Sequence, residues 1–179
     1  MKTKKMFAAK CAVLTLLLIA SGFSSAGFAN QPTQTIQSFS FSNSFINFED
    51  AESEIFDLVN KERRRKNLDE LEWNDDLVKL ARDYSDKMAR GRFFDHHDPN
   101  GATVVERAKD ARIKKWSKIG ENLFFCDENY NFSFFAVKNW MKSPTHKENI
   151  LDVDWTDSGI GIAESRSGQI YITQVFIER

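Results

Sequence analysis

Apolar positions recur at helical spacing from Ala51 onward. Ile55, Leu58 and Val59, with Leu68 further on, place an apolar stripe on a helix running to about Lys66. The run Arg63-Arg64-Arg65-Lys66 falls near its C-terminal end, where cations suit the helix dipole, and reads as a solvated helix end rather than a binding patch. Asn74 is placed to cap a second helix with Asp75 and Asp76 in its first turn. Its stripe is Leu77, Leu80, Ala81, Tyr84 and Met88, and Gly91 stands where a left-handed C-terminal cap belongs. Thr103 and Glu106 have the spacing of a capping box for a short third helix through Ala111. Phe134, Val137, Trp140 and Met141 mark a further helix, which must end before Pro144. Trp140 is expected on its core face together with Phe134 and Val137.

The period then changes. Gly159-Ile160-Gly161-Ile162-Ala163 predicts a buried strand whose glycines allow another backbone to approach closely. Glu164 to Gly168 reads as a turn and Gln169 to Ile177 as a returning strand, so the pair predicts a hairpin. An earlier strand is expected over Ile119 to Phe125. Helices first and strands last, joined by long connections, indicate an α+β fold rather than alternating βαβ units.

The first residues follow a different plan. Met1 to Lys10 is cationic, Cys11 to Ile19 is apolar, and small residues follow up to Ala29. This is the three-part pattern of a secretory signal peptide over residues 1–29, with cleavage after Ala26 or Ala29. The apolar core is too short for the roughly 20 residues of a membrane span, so no integral membrane segment is expected after cleavage. Residues 30–50 read as a polar linker carrying Phe39, Phe41 and Phe45, and residues 51–179 as the folded domain. The Ser-Phe alternation around Phe39 and Phe41 is equally the pattern of a short edge strand.

Composition narrows the function. Of 25 Lys and Arg, Lys2, Lys4, Lys5 and Lys10 lie in the leader, which leaves 21 against 26 acidic residues, a net of −5. So acidic a body is no nucleic-acid binder, which needs a clustered cationic surface. Removing the leader leaves one cysteine, Cys126, so no intramolecular disulfide is available and the domain must hold by core packing. Cys126 follows Leu123-Phe124-Phe125 and reads as a small core hydrophobe rather than a nucleophile.

Three histidines fall in two expected loops: His96 and His97 in Phe94-Asp95-His96-His97-Asp98-Pro99, and His146 in Ser143-Pro144-Thr145-His146. Between them lies Gly120-Glu121-Asn122 at the start of an apolar strand, where an unpaired buried carboxylate would be costly. Two His and a Glu suit metal ligation, acid–base chemistry or mutual hydrogen bonding alike. Their spacing is not that of a local metal motif.

These pieces together resemble the CAP superfamily, the cysteine-rich secretory protein, antigen 5 and pathogenesis-related-1 proteins with their SCP domain, in its cysteine-poor bacterial branch. The resemblance spans about Ala51 to Phe176. It runs through Leu58-Val59-Asn60-Lys61-Glu62-Arg63, Leu71-Glu72-Trp73-Asn74, Phe94-Asp95-His96 with Asp98-Pro99-Asn100-Gly101, and Gly120-Glu121-Asn122. It continues in Trp140-Met141-Lys142-Ser143-Pro144-Thr145-His146, Asn149-Ile150-Leu151, Gly159-Ile160-Gly161 and Gln174-Val175-Phe176. It implies a three-layer α-β-α sandwich with a cleft to which His96, Glu121 and His146 contribute. His96 and His146 are then the expected metal ligands, for a divalent ion such as zinc. The second glutamate that many members carry falls on Ser143, so the full set of four is not present; His97 ranks below His96.

The expected function is that of an exported protein, secreted, periplasmic or held at the cell envelope. It is read as a binding module rather than an enzyme. Its cleft would take a small-molecule or lipid ligand, an envelope component or a divalent metal. The alternative is a metal-assisted hydrolase with Glu121 as candidate catalytic base; no nucleophile elbow supports a serine or cysteine hydrolase. If the trio converges, a carboxylate shared between the two imidazoles would fix both tautomers.

Overall fold

The computed structural model describes residues 47–127 and 131–179; the expected leader and the linker residues before Asn47 lie outside the described residues. In chain order the elements are α1 (Phe48–Arg64), β1 (Glu72–Trp73), α2 (Asp75–Gly91), α3 (Val104–Asp110) and β2 (Lys118–Cys126). They continue with α4 (Phe132–Trp140), α5 (Pro144–Leu151), β3 (Asp157–Glu164) and β4 (Ile170–Glu178). The sheet order is β1-β3-β4-β2, with β1 parallel to β3 and the other pairs antiparallel. Helices cover both faces, giving the α+β three-layer sandwich.

Strand β4 shows how one sequence serves two cores. Ile170, Ile172 and Phe176 pack with α1, α4 and α5, whereas Tyr171, Val175 and Ile177 pack with α2 and α3. Both faces are apolar because both are covered, so the strand reads as a nearly continuous hydrophobic run. On β3 the same alternation sends Ile160 and Ile162 to the first core and Gly159 and Gly161 toward α2. A Cβ on Gly161 would lie 2.0 Å from the Arg82 nitrogen, and one on Gly159 would lie 2.3 Å from that of Val78. The helix backbone thus occupies the space where side chains would stand. Ser85 pins the contact, its hydroxyl 2.8 Å from the Gly161 carbonyl and 2.9 Å from the Thr173 hydroxyl.

Side chains close both long edges of the sheet. At β2 the Trp140 indole N–H donates to the Leu123 carbonyl at 2.9 Å, and Asn149 donates to the Glu121 carbonyl at 3.1 Å. At β3, beyond the two residues of β1, the buried Glu52 accepts from the Ile162 N–H at 3.0 Å while paired with Arg82. An open strand edge is a pairing template, and these contacts occupy it.

The capping signals act as expected, with one shift. Asn74 accepts from Asp76 and Leu77, and Thr103 with Glu106 forms the full capping box. The left-handed residue after α2, however, is Arg92 (φ 53°), not Gly91, which ends the helix. Gly91 is small for another reason: a Cβ there would come within 2.8 Å of the Phe93 ring.

Three further expectations change. Arg63 is not solvated: it is 1% exposed and donates to the carbonyls of Asp69, Ile150 and Asp152 at 2.7, 3.0 and 2.7 Å. Burial pushes its guanidinium below the ordinary value, against the pull of Asp152 and Asp69. Arg64 and Arg65 do remain at the surface, paired with Glu70 and Glu62. Phe134 is 43% exposed although Trp140 is 1% exposed; six residues separate them by about 120° around a helix, so they cannot share a narrow face. Phe132, Ala136 and Trp140 form the buried row instead. Finally, the segment around His146 is a helix and not a loop: α4 does end before Pro144, at Trp140, and Pro144 then opens α5 at its first position, where its missing N–H costs no bond.

Cys126 is half-buried beside the larger core, where its apolar neighbours had placed it.

Candidate functional site

His96 lies on the connection between α2 and α3, a stretch with no regular backbone ladder, so side chains must hold it. Asp98 is the hub of the turn: its carboxylate accepts from the backbone of Asn100 at 2.8 Å and Ala102 at 2.9 Å and pairs with Lys87. Lys87 first, then those two backbone donors, hold its carboxyl down to about 2. The Tyr84 hydroxyl donates to the Asp95 carbonyl. Over the Tyr84 ring, 3.3 Å from its centroid, sits the Arg107 guanidinium of α3. Arg107 donates through Nη1 to the carbonyls of His96 and Ala102, each at 3.1 Å.

Glu121 stands on β2, on the face that also carries Ile119 and Leu123, and its side chain is 3% exposed. One carboxylate oxygen meets His96 Nδ1 at 2.8 Å and the other accepts from Arg107 Nη2. The carboxylate thus bridges an imidazole and a guanidinium, not two imidazoles. Each of its oxygens carries one of these partners.

His146 comes from the opposite layer, on the first turn of α5. Its Nδ1 lies 2.9 Å from the Ser143 hydroxyl, and its carbonyl accepts from Asn122 at 3.1 Å. Asn149 bridges the Glu121 carbonyl and the Asn122 side chain, 2.9 Å from the latter, and ties α5 to β2. Burial first, and then the nearby His96, lower the pKa of His146. Each histidine is held at Nδ1, which leaves Nε2 for a ligand. His97 is exposed, its backbone and ring turned to Asp95, and takes no part.

The structure thus joins His96 to Glu121 directly and brings His146 within electrostatic reach from across the edge of β2, without a bond from His146 to Glu121. Among the described residues no group of three or more His, Cys, Asp or Glu is arranged to hold a metal ion. Two imidazoles fall short of the three or four protein donors of ordinary zinc sites, so this donor set does not fit a resident metal. Arg107 was not singled out by the sequence; Tyr84 was read only as part of the α2 stripe and Asn149 only as part of the motif Asn149-Ile150-Leu151. Arg107 follows the capping residue Thr103 by four positions, beside the fully buried Ala108, and that inward placement is the one signal that marks it.

Residues 56–176 match the family described as CAP, cysteine-rich secretory protein family. Two Bacillus subtilis proteins are related: the uncharacterized membrane protein YlbC, 29% identical over 72% of this chain, and the uncharacterized protein YkwD, 33% identical over 70%. The chain spans 35% and 46% of their lengths. A Bacillus anthracis crystal structure, described as an extracellular protein containing an SCP domain, superposes with a TM-score of 0.66 at 27% identity. It covers 73% of this chain and 41% of that one. With a match running from within α1 to within β4, the chain belongs to the CAP, or cysteine-rich secretory protein, family.

Proposed function

We propose that this CAP-domain protein is an exported or envelope-held binding module whose cleft, between the His96 loop and α5, takes a small ligand through imidazole nitrogens. The carrying observation is the pair of histidines each fixed at Nδ1, His96 by Glu121 and His146 by Ser143. Side chains anchored in this way present a defined hydrogen-bonding edge to a ligand, and neither has to reorganise on binding. The ligand class is a small molecule, or a lipid whose polar group enters the cleft. Export is supported by the leader pattern of residues 1–29 and by the extracellular and membrane descriptions of the Bacillus relatives. Among the described residues no helix is long and apolar enough to cross a membrane. The candidate base Glu121 is bonded to His96 and Arg107, an arrangement suited to orienting His96.

The test is native mass spectrometry after incubation with a small-molecule and lipid extract of a Bacillus envelope. A bound species is expected on the wild-type protein and lost from the double variant His96→Ala, His146→Ala. No bound species, or equal binding to both proteins, defeats the reading.

A further inference from the structure

We propose that Arg107 is the positioning residue of the cleft: it fixes the tautomer of His96 through Glu121 and thereby sets the chemistry that the cleft recognises. The proposal rests on the binding reading above for its consequence, but not for its geometry. Arg107 holds His96 once directly and once through Glu121. Through Nη1 it holds the His96 carbonyl, and through Nη2 it holds the Glu121 oxygen that His96 does not use. The stack on Tyr84, itself bonded to the Asp95 carbonyl, sets the plane of the guanidinium. With one oxygen on Arg107, the carboxylate turns the other to His96 as an acceptor, and an acceptor at Nδ1 requires the proton to sit there. In the neutral ring, His96 Nε2 is then a lone pair.

A stability role alone is a poor account of this residue. The Arg107 side chain is 10% exposed, and its Nε–H is buried without an acceptor among the described residues. Burying a charge with one donor unmatched is costly, and an apolar side chain would fill the same space at lower cost. What an apolar residue cannot do is orient Glu121. The ligand class follows: a bare Nε2 accepts, so the cleft selects a group that brings a donor to His96, such as an ammonium, an amide N–H or a hydroxyl. It disfavours an anion.

The experiment reads the tautomer directly by long-range proton–nitrogen NMR of the histidine rings at neutral pH, on wild type, Arg107→Met and Arg107→Lys, with melting curves as the folding control. Wild type is expected as the Nδ1–H form. Arg107→Met is expected to shift the tautomer ratio about tenfold toward Nε2–H, the scale of losing one charge-assisted hydrogen bond, and Arg107→Lys to recover most of the wild-type ratio. An unchanged His96 tautomer in Arg107→Met overturns the proposal even if that variant melts lower. If Arg107→Met does not fold, Arg107→Lys decides: it keeps the charge, so a lost Nδ1–H signal in a folded Arg107→Lys also overturns it. Should the tautomer respond as expected while wild type binds nothing from the extract, the positioning role stands and the binding reading falls.

Discussion

His96 rides on a connection without regular hydrogen bonds, and His146 rides on the first turn of a helix. The His96 loop is held point by point: Tyr84 on Asp95, Arg107 on His96 and Ala102, Lys87 on Asp98. Helix α5 is held at its ends, by Pro144 at its start and by Arg63 on the carbonyls of Ile150 and Asp152 at its finish. A loop lacks its own ladder, so every backbone group it buries needs a named partner. A helix satisfies its own middle and leaves only the termini to be met from outside. Damage to the scaffold around α5 should therefore be global, and damage to the His96 loop local.

The largest expected effect breaks the α4–α5 side. Trp140→Ala removes a 1%-exposed ring and the indole bond to Leu123, and should lower unfolding free energy by about 3–5 kcal/mol in denaturant titration. Near-normal stability would show that α4 does not anchor that layer. Next, Arg63→Met leaves three carbonyls without their donor. A loss of about 2–3 kcal/mol is expected, with hydrogen exchange accelerated across α5. Exchange that stays slow in α5 would mean Arg63 is not its C-terminal anchor.

On the loop side the changes should be smaller. Glu121→Gln keeps the shape but swaps one acceptor oxygen for a donor amide and removes the charge facing Arg107. It should cost about 1–2 kcal/mol and loosen exchange in residues 95–102, with α5 protected as before. Equal loosening of both regions would erase the contrast between them. The mildest effect is in pH. Asp98 is held at about 2 from an ordinary 3.8, so its contribution is fully present above the ordinary value and is lost as pH falls toward 2. Loop signals should begin to change between about pH 4 and 2 in wild type but not in Asp98→Asn. The same acid profile in both proteins would remove Asp98 from the account.

Much of this is legible in the chain because it is local. Asn74, Thr103 and Glu106 act within three residues of themselves, and the Gly-Ile-Gly-Ile run carries its two faces in its own alternation. Arg63 and Arg107 were not legible as anchors, for the opposite reason. Arg63 meets Asp152 across 89 positions; its place four residues after Val59 sets it on the buried stripe, but its charge and its basic neighbours Arg64 and Arg65 argued for solvent. Pro144 serves two local meanings, α4 ending before it and α5 starting on it, and only the placement of α5 against β2 reveals the second. Of the candidate site, His96, Glu121 and His146 were readable as residues, but their partition was not. The carboxylate's second partner comes from α3, and residue types alone do not say which cation takes it.

The two glycines of β3 bear on kinship. Since any side chain at Gly159 or Gly161 would collide with the backbone of α2 at 2.0–2.3 Å, drift at these positions is restrained by architecture whatever the cleft does. A descendant that lost both histidines would still be expected to keep them. Shared Gly-Ile-Gly in a distant relative is thus a record of common scaffold, and common ancestry of the fold can outlast any common use of the cleft.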